Sequence, residues 1–282
     1  MRAALRATDV LAAVGAFAGR PPASPPAGRF ARPEVPDGLV PALAALAGPE
    51  RAWVLDPLGR DAPPPRPGRP RPLTLAADGE AAPARQVDER TCGAAVLAML
   101  LVAGDPRRGL ELGRRPPGVA GSFAALQRTL HARTTRGPGG LPLWPAALGT
   151  PPWGAARVAR YGRVRYTHRV VGRYGTRRSD GTRVLAAALA AAAAGVPVPL
   201  YTGGDLARGP AAAVPRHVVL LTAVRDGLAV LYEPSSARLH AVPAPALTGA
   251  GAASAVDRAR TTAALGGWPH VVWALLPRDA RG

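Results

Sequence analysis

Lysine, asparagine and isoleucine are absent from the 282 residues, cysteine occurs once, and aromatic residues make up only 5%. The three missing residues have AT-rich codons, so the composition carries the mark of a GC-rich genome. The abundance of Ala, Arg, Gly and Pro follows from the same bias. A single cysteine excludes an internal disulfide and a Cys-rich zinc site, and it fits a reducing compartment or a thiol kept for its chemistry. There is also no long hydrophobic run. The longest uncharged stretch, Val184 to Gly204, is rich in alanine and broken by Pro197 and Pro199, so no membrane span is expected. Near the N-terminus VLAAVGAFAG loosely imitates a secretory signal, but Asp9 interrupts it and the apolar run is short. An ordinary helix and a cytoplasmic location are the expectation, with secretion the alternative.

What is abundant is arginine. The net charge is +18, its positive part all arginine, which points towards an anionic partner such as nucleic acid. The arginines are scattered from Arg2 to Arg281, however, and are densest between Arg160 and Arg183, interleaved with Tyr161, Tyr166 and Tyr174. Such a stretch could follow a phosphate backbone and stack on bases. The favoured reading is a solvated hairpin whose tyrosines pack against the domain, so nucleic acid is the less favoured partner.

The hydrophobic content of 48% is enough to fill a core. Residues 1–60 read as a helical N-terminal arm, with helices near Ala3 to Ala18 and Leu39 to Leu46. Residues 61–83 open with DAPPPRPGRPRP and read as an extended linker rich in Pro and Arg. A domain over 84–278 follows. Within it, Thr91 is the expected N-cap of an apolar helix from Cys92 to Val102, ended by Gly104. That helix is apolar nearly all round and should be buried. Further helices are expected over Ser122 to Ala132 and Thr182 to Ala194, separated by a Pro-rich loop with Trp144 and Trp153 and by the basic hairpin. After Gly195 the pattern changes to strands: VPVPLYTG, HVVLLTAVRDGLAVLYEP, ARLHAVPA and HVVWALLP. Asp226-Gly227 marks a tight hairpin inside the second run. Helices first and an antiparallel sheet after is the α+β order.

The chemistry centres on the lone thiol. Gln86 stands six positions before Cys92, and His217 opens a strand 125 residues after it. A thiol attacks only as thiolate, and a free cysteine with pKa of about 8.5 is mostly protonated at neutral pH. The first turn of a helix favours negative charge there, and an adjacent imidazolium would do so further. Gly93 leaves room for a substrate carbonyl. Gln86 could set its amide NH2 beside the Cys92 backbone N–H, giving two donors for an oxyanion. Of the five histidines, His217 is preferred over its rival His270. The Asp226-Gly227 hairpin brings Glu233 back to face His217, and nothing comparable follows His270. His131, His168 and His240 read as structural or exposed. Trp153 could form an apolar wall of the cleft, or Trp144 and Trp153 could simply pack a proline-rich loop.

A glutamine six positions ahead of a Cys-Gly helix start, a histidine-led strand and a hairpin ending in acid-Pro resemble the papain-like cysteine peptidases. The branch these motifs most resemble is that of the bacterial double-glycine leader peptidases and their stand-alone relatives. The resemblance covers about Gln86 to Ser236. It implies a papain-like α+β fold, with a helical subregion carrying the nucleophile helix packed on an antiparallel sheet. It implies Cys92 as nucleophile, His217 as base and acid, Glu233 as orienting residue and Gln86 as oxyanion donor, with no metal and no cofactor. Gly93 and Trp153 would contact a peptide or protein substrate. Those relatives usually carry Asp or Asn as the third member, and Glu233 is one methylene longer. An acyltransferase of the same chemistry, and a non-catalytic papain-like scaffold binding a peptide or anionic partner through its arginines, are the alternatives. The N-terminal arm could cover the cleft as a pro-segment or dock a partner.

Overall fold

A computed structural model describes residues 6–13, 33–77, 79–114, 116, 118–137, 140–172, 181–204, 214–248 and 254–278. Its helices are α1 (Ala7–Ala13), α2 (Val40–Ala44), α3 (Gly48–Leu55), α4 (Cys92–Gly104), α5 (Pro106–Arg114), α6 (Val119–Thr135), α7 (Pro152–Val158), α8 (Gly181–Ala193), α9 (Ala244–Thr248) and α10 (Ala255–Ala264). Its strands are β1 (Arg71–Pro72), β2 (Thr74–Ala77), β3 (Glu80–Pro83), β4 (Arg160–Tyr161), β5 (Val164–Val170), β6 (Val198–Gly203), β7 (His217–Arg225), β8 (Leu228–Glu233), β9 (Arg238–Pro243) and β10 (His270–Arg278). Eight strands form one antiparallel sheet in the order β1-β9-β8-β7-β6-β10-β5-β4, and β2 and β3 pair separately. The chain is α+β.

The expected apolar helix is the centre of the molecule. All of α4 except Leu101 is buried, and it packs against α6, α5, β4 and β7. With no polar face to solvate, such a helix is stable only when enclosed. Each of Leu97, Met99 and Leu100 contributes about 2–3 kcal/mol of burial. β7 is likewise buried along most of its length, as a Val- and Leu-rich strand covered on both faces must be. The β7–β8 hairpin turns at Asp226 and Gly227, with φ of 52° and 73°. Asp tolerates that left-handed conformation better than most residues, and Gly adopts it freely.

Three expectations about the chain's organisation need correction. Residues 61–83 are not a linker throughout: Arg71–Pro72 pairs with Arg238 and Leu239, and Leu73 and Leu75 are buried in the core. Proline is compatible here because its φ suits an extended edge strand, where one side of the backbone is unpaired. Nor do the described residues of 1–60 stand apart as an arm. Ala12, Trp53, Val54 and Leu58 belong to the same core cluster as α4 and the sheet. Arg60 donates to the Tyr161 hydroxyl and the Gly195 carbonyl, each at 2.9 Å. The loop expected to carry Trp153 in fact starts helix α7 at Pro152, because proline at the first helical position loses no hydrogen bond.

Tyr161 and Tyr166 of the basic hairpin are buried, as packing against the domain requires. Tyr174 lies outside the described residues, as does the helix expected to continue to Ala18. No helix among the described residues is long and apolar enough to cross a membrane.

Candidate active site

Cys92 is the first residue of α4 and is 5% exposed. Thr91 holds the N-cap position, but its hydroxyl does not cap the helix. It is turned back on the preceding loop, where Oγ1 accepts from Asp88 N–H and donates to the Asp88 carbonyl, both at 3.0 Å. The first-turn N–H groups at Cys92 therefore have no side-chain cap and concentrate partial positive charge at the sulfur.

The chain entering α4 is held from two sides. The Gln86 N–H donates to the Pro234 carbonyl at 2.9 Å, and the Tyr232 hydroxyl donates to the Ala84 carbonyl. From the other side Gln127, fully buried on α6, accepts from Val87 N–H and donates to the Arg85 carbonyl, each at 3.0 Å. The clamp joins the nucleophile helix to the end of β8, the strand that carries Glu233.

His217 opens β7 opposite Thr202, and Glu233 ends β8. His217 Nε2 lies 2.8 Å from Glu233 Oε1, both side chains being buried. Cys92 lines the same cleft as His217, and its side chain interacts with the ring closely enough to raise the imidazole pKa. Since Nε2 serves Glu233, Nδ1 is the nitrogen left for the sulfur. The longer side chain of Glu233 is fixed at its far end: Oε1 also accepts from Ser235 N–H at 2.8 Å, and Oε2 accepts from Ser236 N–H at 2.8 Å and Ser236 Oγ at 2.6 Å.

Burial pulls the His217 pKa down, but its hydrogen bonds and charge interactions with Cys92 and Glu233 outweigh burial and raise it to about 9. Burial acts to raise the Glu233 carboxyl, yet the hydrogen bonds from His217, Ser236 and Ser235 hold it far below the usual carboxylate range. Glu233 is thus an anion, and His217 an imidazolium, across neutral pH.

Not every expected residue joins this cluster in its expected role. The Gln86 amide gives one of its two N–H donors to the Asp88 carbonyl, at 2.8 Å. The space left by Gly93 is filled by Thr150: a Cβ at Gly93 would fall 2.7 Å from Thr150 Cβ. Gly93 therefore admits Thr150, and Thr150 in turn lines the cleft. Trp153 lies in the lining of the same cleft as Cys92 and His217, with Trp144 edge-on at 5.1 Å and 88°. His270, the rival histidine, borders a separate cavity of about 370 Å³ and not the Cys92 cleft. His168 stacks obliquely on Trp273 at 5.8 Å.

Sequence reasoning missed Gly266. It follows α10 with φ of +70°, and a Cβ there would lie 2.2 Å from His217 Cδ2 and 2.6 Å from Nε2. The turn is tied to β6 by the Thr202 hydroxyl, which donates to the Leu265 carbonyl at 3.0 Å. Only the Gly266-Gly267 pair in the sequence hinted at a tight turn. Comparison with protein-family models, with curated proteins and with solved structures found no match.

Proposed function

We propose that the protein is a papain-like thiol hydrolase that cleaves a peptide or amide bond through a Cys92 acyl-enzyme. The observation that carries this reading is the His217 ring held 2.8 Å from Glu233 in the cleft that Cys92 also lines, with the thiol close enough to raise the imidazole pKa. Three buried groups of complementary chemistry, drawn from a helix start and two strand ends far apart in sequence, form one chain from nucleophile to orienting anion.

In the reaction the Cys92 thiolate adds to the scissile carbonyl carbon, and the carbonyl π pair moves to oxygen. The uncapped N–H groups of the α4 first turn supply donors for that oxyanion. The C–N bond breaks as His217 passes its proton to the departing amine, leaving a thioester on Cys92. Water then attacks the thioester while His217 takes its proton, and the returning thiolate is the leaving group. Glu233 keeps the ring oriented and stabilises its cationic form.

Intact-mass measurement with a peptide library tests this. The expected result is a transient acyl adduct on Cys92 and product peptides that vanish in Cys92→Ala. Trapping of the acyl group by added amine in preference to water would identify the acyltransferase instead. Turnover that survives Cys92→Ala, or no adduct with any peptide, would sink the proposal.

A further inference from the structure

The cleft that contains Cys92 has a volume of about 300 Å³, the lower end of the roughly 300–1,000 Å³ typical of ligand sites. Its wall is mostly apolar. Trp144 and Trp153 meet edge to face there, and Leu148 and Trp153 remain 60% and 37% exposed despite their size. Large apolar side chains left uncovered around a concave site mark where an apolar group docks.

Behind that wall the Trp144 indole N–H and the hydroxyls of Thr150 and Tyr201 are buried with no hydrogen-bond partner among the described residues. The charged residues bordering the cleft apart from His217, namely Glu89, Arg90 and Arg216, are exposed and of mixed sign. Among the described residues, the chain charge of +18 is not gathered at this cleft, whose rim carries two arginines and one glutamate beside the Cys92–His217 pair.

We infer that the segment of substrate beside the scissile bond carries an uncharged aromatic or branched aliphatic side chain, which this cleft takes. The inference rests on the thiol-hydrolase reading and names its substrate class. The acidic partner that composition suggests is not what this cleft selects.

Alkylation of Cys92 by graded probes tests it. Rates are measured by intact mass for iodoacetamide, N-benzyl iodoacetamide and N-(iodoacetyl)glycine, each divided by the reagent's rate with free cysteine. The expected result is saturable labelling by the benzyl reagent, about tenfold or more above iodoacetamide, with the carboxylate reagent slowest. Trp144→Ala and Trp153→Ala should return the benzyl-to-iodoacetamide ratio towards that of free cysteine. A ratio equal to that of free cysteine in the unaltered protein, or a preference for the carboxylate, would overturn the inference while His217-dependent labelling leaves the hydrolase reading standing. Iodoacetamide labelling indifferent to His217→Ala would instead remove the hydrolase reading, and this inference with it.

Discussion

Gly266 lies against the edge of the His217 ring, so close that a methyl group at its Cα would fall 2.2 Å from Cδ2. The backbone there is also left-handed, with φ of +70°. Gly266→Ala therefore forces the ring off Glu233 as well as straining the turn. The expected outcome is a loss of about 1–3 kcal/mol of stability and a fall in kcat/KM of about a hundredfold. Chemical denaturation and steady-state kinetics on the variant measure the two effects separately. Wild-type kcat/KM in Gly266→Ala would show that ring placement does not matter.

The pH profile of kcat/KM follows from the His217 ionisation. Its imidazolium is the proton source for the leaving amine, and its pKa is raised to about 9. Activity should hold across neutral pH and fall on the alkaline side with a midpoint near 9. Glu233→Gln removes a hydrogen-bonding anion that raises this pKa, so the alkaline limb should move down in pH.

Folding stability should follow the same pair. The His217 pKa is raised above its ordinary 6.5, so its contribution is complete below about pH 6.5 and is lost as pH rises through about 9. The Glu233 pKa is lowered from its ordinary 4.5, so its contribution is complete above about pH 4.5 and is lost in acid. The Tm difference between the unaltered protein and Glu233→Gln should be largest between about pH 4.5 and 6.5 and shrink towards pH 9. The whole His217 shift corresponds to roughly 3 kcal/mol, of which Glu233→Gln removes only the part that Cys92 does not supply. A Tm difference independent of pH would contradict the pairing.

Gln127 is remote from the chemistry but holds the chain that delivers Cys92. Gln127→Leu keeps the volume and leaves the Val87 N–H and the Arg85 carbonyl without their partner. A loss of about 2 kcal/mol is expected, with a slower alkylation of Cys92 as the helix start loosens. Gln86→Ala should change Cys92 reactivity far less, because the Gln86 amide is engaged by Asp88.

Much of the site was legible because its signals are local. An unbroken apolar run after Thr91 announces a buried helix. Asp226-Gly227 announces a hairpin, and that hairpin brings Glu233 back to His217 without any knowledge of the rest of the fold. What could not be read depends on contacts distant in sequence. The Gln86 amide had a nearer acceptor in Asp88, and the space at Gly93 was taken by Thr150 from the Trp144–Trp153 segment. The prolines of 61–72 masked the alternation of Leu73, Leu75 and Ala77 that marks β2 as half-buried. The α10 start carried a readable sign that was overlooked, since Ser254 three residues before Asp257 is a capping pattern and its Oγ accepts from Asp257 N–H at 3.0 Å.

The central claim is that His217 and Cys92 act as one pair, and limited iodoacetamide labelling of the native protein from pH 5 to 9 tests it most directly. Read by intact mass, Cys92 should label faster than a free thiol at neutral pH, and His217→Ala should slow that labelling. Labelling at the rate of a free thiol, and the same in His217→Ala, would contradict the account.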